Sequence, residues 1–325
     1  MQSLVDPAIL FFIFGVCAGL LRSNLEIPQA ISKFLSLYLL MALGLKGGFA
    51  LAESGLTSEV LVSLGAAMLL AIGVPLLGYR LLRPILNGFD AAAIAATYGS
   101  VSAVTFITAV QYLDNHGVAY GGQMAAAMAL MESPAIVFAV LMANHIRRNQ
   151  VCVAAPGSPP ATAAPFGSVL RESLTDGAQL LLLGAMVIGM LSGEAGQAAL
   201  KPFSVDLFKG MLAFFLLDMG LLAARNMGQI RGQAPWLAIY ALLGPLTHAG
   251  LALGLGYLLG IPEGNVILLM VLAASASYIA VPAVLRHAIP EARPSLYFGM
   301  SLGLTFPFNI LLGIPLYAHV ATVLL

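Results

Sequence analysis

Apolar runs, each about as long as a bilayer is thick, follow one another along the whole chain, and that excludes most folds. A spanning helix needs about 20 predominantly apolar residues, fewer where the bilayer thins and more where the helix tilts. On that measure ten segments stand out. The first five cover roughly 5–21, 28–50, 58–80, 88–112 and 118–145. The second five cover roughly 170–192, 205–224, 232–259, 264–286 and 295–322. Charged residues are only 9% of the 325, whereas a soluble domain carries about 25%. The expected fold class is therefore an all-α polytopic membrane protein with ten transmembrane helices.

Between the two sets lies an Ala-, Pro- and Ser-rich stretch that cannot build a core. The expected organisation is residues 1–146, a linker over 147–168, and residues 169–325. The first run follows Asp6 rather than lysines and reads as a retained span, not a cleaved signal. Charge sets the orientation. Of the 14 Lys and Arg residues, Arg22, Lys33, Arg80, Arg83, Arg147, Arg148, Arg171, Arg225, Arg231, Arg286 and Arg293 fall on one side. Lys201 falls on the other, and Lys46 and Lys209 lie within spans. The positive-inside rule makes the Arg-rich side cytoplasmic, with the linker there and both termini on the periplasmic face.

The two sets also resemble each other. "SLVDPAILFFIFGVCAGLL" (3–21) aligns with "SLTDGAQLLLLGAMVIGML" (173–191), and "GLKGGFALA" (44–52) with "LLDMGLLAA" (216–224). "GSVSAV" (99–104) aligns with "ASASYI" (274–279), and "ESPAIVFAV" (132–140) with "TFPFNILLG" (305–313). An odd number of spans per copy turns the second copy over in the membrane. Two inverted five-helix repeats are an architecture of secondary transporters, whose sites lie near the midplane where the repeats meet.

The fourth and ninth segments break their apolar pattern at equivalent places, with Gly99, Ser100, Val101, Ser102 and Ala103 in one and Ala274, Ser275, Ala276, Ser277 and Tyr278 in the other. Small residues and serines also serve close helix packing. Their recurrence at matched positions points instead to two crossing, broken helices, tolerated at membrane depth only where the freed backbone is buried or lines a cavity. Half-helix N-termini suit an anion, and carbonyls and hydroxyls suit a hard cation such as Na+. Pro282 just beyond the second break reads as a helix distortion.

Ionisable groups inside spans are functional candidates. Glu132 reads as a cation or proton site, with Thr105, Thr305 and Asn309 as further oxygen donors for Na+. Lys46 and Asp218 stand at equivalent repeat positions and are candidates for mutual pairing. Other chemistries are weakly supported. No Gly-x-x-x-x-Gly-Lys-Ser/Thr loop supports ATP-driven pumping, and no Cys/His cluster has metal-ligand spacing. Neither a metal beyond Na+ nor any other cofactor is expected. Cys17 and Cys152 fall in different environments, which argues against a disulfide. Ser100 or Ser275 with His248 is conceivable as a hydrolase pair, but no spacing selects it, so the chain does not read as an enzyme. The net charge of zero and the lack of a basic arm argue against nucleic acid.

The block "AASASYIAVPAVLRHAIPEARPSLYFGMSLGLTFPFNILLGIPLY" (273–317), with "GLKGGFALAESGL" (44–56) and "MESPAIVFAVLMANHI" (131–146), resembles the sodium-dependent bicarbonate transporter family best known from cyanobacteria. The resemblance runs nearly end to end. It implies a core and a gate domain, as in sodium/bile-acid symporters, a homotrimer in the bacterial inner membrane, and Na+-coupled bicarbonate uptake. It places bicarbonate between 99–103 and 274–278, and implies a cytoplasmic PII-like regulator. Tyr278 stands where the cyanobacterial members carry an acidic residue, and Glu132 where they carry Asp, so the chain looks more like the branch found in other bacteria. A symporter of another small anion, such as a monocarboxylate, is the alternative within the class. An intramembrane enzyme and a channel are the alternatives outside it.

Overall fold

Helix starts and stops follow local chemistry. Asp6 accepts a hydrogen bond from the Ala8 amide at 2.8 Å with Pro7 as first helical residue, an arrangement that satisfies one orphan donor and places proline where its missing N–H is harmless. That begins α1, Pro7–Leu20. In the computed structural model, which describes residues 6–55, 57–151, 177–228 and 235–325, the helices that follow are α2 (Gln29–Ser54), α3 (Ser58–Leu82), α4 (Gly88–Gly99), α5 (Ala103–His116) and α6 (Gln123–Val151). After them come α7 (Gly177–Lys201), α8 (Phe208–Met227), α9 (Pro235–Leu259), α10 (Glu263–Ala274), α11 (Ala280–Ala288) and the last run, α12 (Pro294–Leu324).

All regular structure among the described residues is helical. Seven of the helical runs are long and apolar enough to cross a membrane by length and composition. They are Gln29–Ser54, Ser58–Leu82, Gly88–His116, Gln123–Arg148, Gly177–Met227, Pro235–Leu259 and Pro294–Leu324, with Pro7–Leu20 and Glu263–Ala274 as shorter apolar helices. The run Gly177–Met227 is not straight: Gly193 sits at φ 51°, a conformation that favours glycine, and a π-helical turn covers Pro202–Asp206.

Helix α2 packs along α7 and α1 along α8, while α3 lies against α4 and α6, and α9 against α10. The first two pairings need backbones in contact. A Cβ on Gly48 would run into the Met186 carbonyl, and one on Gly220 into the Phe12 carbonyl and, at 2.9 Å, the Val16 nitrogen. Small residues allow such close approach. The interrupted helices occupy the interior: 94% of the apolar window of Gly88–His116 is buried, against 39% of that in Pro235–Leu259.

Two expectations need correction. Lys46 and Asp218 do not pair. Lys46 Nζ lies 3.0 Å from Asp114 Oδ2, and Asp218 faces Ser32 and Arg225. Asp114 stands beside Asn115, which binds Asp6 at the start of α1; Arg225 reaches the Leu25 carbonyl, beyond the end of α1. The two residues therefore lie toward opposite ends of the bundle. Pro282 does not distort a helix either. It is the third residue of α11, where its missing N–H is one that no helical carbonyl would receive. Helix α6 also continues through Arg147 and Arg148 to Val151; the rest of the expected linker, with Cys152, Arg171 and the start of the sixth segment, lies outside the described residues, as does Arg231.

Candidate functional site

Helix α4 ends at Gly99 and α5 begins at Ala103, so the chain is extended through Ser100 and Ser102. Ser102 caps α5: its Oγ accepts from the Thr105 amide at 3.2 Å and from Thr105 Oγ1 at 2.9 Å. The second break repeats the pattern. Helix α10 ends at Ala274, α11 begins at Ala280, and Ser277 Oγ accepts from the Val281 amide at 3.2 Å. Each break thus presents a helix N-terminus, where the first amides have no intrahelical partner and the helix dipole is positive.

The two breaks cross and are joined directly. The Ser277 amide donates to the Thr97 carbonyl at 2.8 Å. On the matching side the Ser102 amide donates to Ser275 Oγ at 2.9 Å, and that hydroxyl donates in turn to the Leu272 carbonyl at 2.8 Å. Thr97 aligns with Leu272, and Ser102 with Ser277. The same backbone contact is therefore made twice, with a serine hydroxyl inserted in one copy. Gly99 is fixed by crowding, since a Cβ there would lie 2.6 Å from the ring of Pro75 in α3.

Two hydroxyls at this junction, Thr97 Oγ1 and Ser100 Oγ, are buried without a hydrogen-bond partner. An unpaired buried hydroxyl costs about 1–3 kcal/mol, which makes both available to a ligand. His248 Nδ1 is likewise buried and unpartnered. Ser100 and His248 therefore do not form the nucleophile–base hydrogen bond that a serine hydrolase needs.

A cavity of about 350 Å3 reaches the crossing from one side. Val101, Ser102, Ala103, Ser277 and Tyr278 line it, together with Glu132 of α6 and Gln179 of α7. Gln179 Nε2 donates to Glu132 Oε2 at 2.8 Å. Gly99, Ser100, Ala274, Ser275 and Ala276 are buried behind that surface. Tyr278 is turned toward α8, its hydroxyl 3.6 Å from Met219 Sδ, and its ring packs edge-on against Phe306 with centroids 5.2 Å apart. Thr305 and Asn309 are not in the cavity lining; they are bonded to the ends of α4 and α10.

Reading the residues in order missed Thr97 and Gln179. Their aligned partners are Leu272 and Ile9, so comparing the two halves raised no polar signal at either position.

A helical membrane protein whose two interrupted helices meet around buried hydroxyls, with a cavity leading to them, belongs by class to the membrane transporters. The chain is a member of the Na+-dependent bicarbonate transporter superfamily, whose sequence model matches residues 7–322. No match was found among curated proteins.

Proposed function

We propose that this protein is a Na+-coupled symporter of bicarbonate that works by alternating access, with ten crossings arranged as two inverted five-helix repeats. The observation that carries the reading is the doubled crossing, in which Ser102 and Ser277 line one cavity and the breaks hold each other through matched contacts.

Reciprocal packing supports the repeat. Gly48 aligns with Gly220 and Met186 with Val16, and Gly48 abuts Met186 just as Gly220 abuts Val16. Two cavities extend the correspondence. The one at the crossing includes Leu40, Ala178, Gln179 and Ala283. A second, of about 460 Å3, includes Leu212, Ala8, Ile9 and Thr108, their aligned partners in the same order. The second cavity contains none of the crossing residues. By the positive-inside assignment the first opens to the cytoplasm, so the chain is in an inward-facing arrangement, and rocking of the helices that bear the breaks against α1, α2, α7 and α8 would exchange the two.

In this reading the anion takes N–H groups at the starts of α5 and α11 with hydroxyls of Ser100, Ser102, Ser275 and Ser277, while Gly99, Val101, Ala103, Ala274, Ala276 and Tyr278 shape the pocket. Among the described residues no three His, Cys, Asp or Glu side chains cluster, so Na+ would rest on hydroxyl and carbonyl oxygens. Glu132 is the carboxylate of the cavity lining and Thr105 is bonded to Ser102; both are candidates to assist. The lining also carries Leu40, Met128, Ile136 and Leu182. That apolar wall favours a monocarboxylate as second reading, because a bare bicarbonate gains nothing from it.

Uptake of labelled bicarbonate into proteoliposomes, with and without an inward Na+ gradient, tests the reading, and counterflow against short monocarboxylates separates the two substrates. Gradient-independent flux, or none for either anion, would remove it.

A further inference from the structure

The last helical run is wound unusually. Ser301–Thr305 and Asn309–Gly313 form π-helical turns on either side of Phe306–Phe308, and Pro307 between them removes one amide from the ladder. Single π turns inside helices re-aim side chains and recur at functional sites. Thr305 of the first turn and Asn309 of the second are both fully buried, as is Ser301, whose hydroxyl only donates back to the Tyr297 carbonyl of its own helix at 2.6 Å.

Their hydrogen bonds can be followed atom by atom. Thr305 has one hydroxyl proton and donates it to the Ala241 carbonyl at 2.7 Å. The 2.6 Å contact with Tyr98 must then be donated by the tyrosine. Tyr98 is the penultimate residue of α4, next to Gly99. Asn309 Nδ2 donates to the Ala274 carbonyl, the last of α10, at 2.8 Å, while Asn309 Oδ1 accepts from Tyr317 OH at 2.9 Å. One helix therefore fastens the final turn of both half-helices that end at the crossing. The aligned positions in the first repeat behave differently. Glu132 and Ile136, opposite Thr305 and Asn309, line the cavity.

We infer that Thr305, Asn309 and Tyr317 are positioning residues: α12 clamps the ends of α4 and α10 and so sets the spacing of the buried Ser100 and Ser275 hydroxyls. This rests on the crossing being the substrate site, and it replaces a Na+-ligand role for Thr305 and Asn309. A ligand acts on the anion only through Na+, so its loss is overcome at saturating Na+, whereas a clamp acts on every group at the crossing at any Na+ concentration.

Two measurements test it. In transport assays with Na+ and labelled bicarbonate, Tyr317→Phe, which deletes one hydroxyl remote from the breaks, should raise KM for both solutes together, about five-fold for one lost buried hydrogen bond. Asn309→Leu and Thr305→Val should do the same more strongly, and Thr305→Ser should restore the wild-type values. A bicarbonate KM that returns to the wild-type value at saturating Na+, or an Asn309→Asp variant with unaltered kinetics, would overturn the clamp. Hydrogen exchange on the purified protein gives a readout without transport. Amides of 272–278 in Tyr317→Phe, and of 97–103 in Thr305→Val, should exchange faster than in wild type while distant helices stay unchanged. Unaltered exchange there would also overturn it. If the wild-type protein moves no bicarbonate, the proposed function fails, and the exchange data still decide the clamp.

Discussion

Removing the Lys46 charge should open the side of the bundle that is closed in this structure. At that end, Lys46 of α2 pairs with Asp114 of α5 at 3.0 Å, and Asp114 also accepts from Tyr120 OH at 2.9 Å. Beside it, Asn115 of α5 donates to Asp6 at 2.7 Å and accepts from Lys209 of α8 at 3.0 Å. Three helices of the proposed gate are thus tied to one helix that carries a break. Among the described residues the aligned positions at the opposite end cannot form this lock, since Ile289 and Pro290 align with Asp114 and Asn115, and Leu37 aligns with Lys209. The pair is partly solvated, with side-chain exposures of 22% and 32%, so its net contribution is about 1 kcal/mol rather than the full Coulomb energy. Lys46→Gln should therefore shift the population toward the outward-open form about five-fold. The assay is the labelling rate of Thr108→Cys, in the second cavity, by a membrane-impermeant thiol reagent in a background without Cys17 and Cys152. Exchanging the charges, with Lys46→Asp and Asp114→Lys together, should bring the rate back toward wild type. An unchanged rate in Lys46→Gln, or a charge-exchanged protein no more closed than either single variant, would refute the lock.

Ser102→Leu and Ser277→Leu should each abolish Na+-dependent uptake while leaving membrane insertion intact, checked by flux beside surface labelling. Gly99→Ala should destabilise the purified protein by about 1–3 kcal/mol as an overpacking change, because its Cβ meets three ring atoms of Pro75 at 2.6–2.7 Å; thermal unfolding reads this, and Pro75→Ala should relieve it. Glu132→Gln should raise the Na+ requirement while keeping its contact with Gln179, which flux against Na+ concentration measures. In the loop after α11, the Arg147 hydrogen bonds hold the Glu291 carboxyl below its ordinary value of 4.5. A carboxyl depressed in the folded state adds stability above its unfolded value and loses it as pH falls through the folded one. Unfolding temperature should therefore drop more steeply below about pH 4.5 in wild type than in Glu291→Gln.

Periodicity and hydropathy carried the helices well, because in a bilayer every backbone group must be satisfied within its own segment. The expected segment 88–112 corresponds to α4 and α5, and 264–286 to α10 and α11. The serine clusters located both breaks, since hydroxyls and small residues in a buried run are costly without a purpose. Partner choice was less legible. Which carbonyl a serine meets depends on the crossing angle and on a neighbouring helix, and neither leaves a trace in local composition. The two π turns of α12 are invisible for the same reason: Thr305 and Asn309 stand in an ordinary apolar run, and only the winding turns them toward α4 and α10.

The Lys46–Asp218 error has a general cause. In the proposed inverted repeat equivalent residues lie on opposite faces, so alignment identifies residues in matching environments, and only those near the midplane can touch each other. The crossing is where that exception applies, and there the symmetry is nearly complete: Ser277 meets Thr97, and Ser102 meets the equivalent Leu272 through the Ser275 hydroxyl. A strictly symmetric protein would have identical inward- and outward-facing forms and no preferred resting side. The departures from symmetry are the inserted hydroxyl, the clamp on α12 against the open Glu132 position on α6, and the lock at Lys46. Each gives the two faces different energies and so sets a resting side for the proposed carrier, from which a ligand shifts the population only by its differential affinity for the two forms.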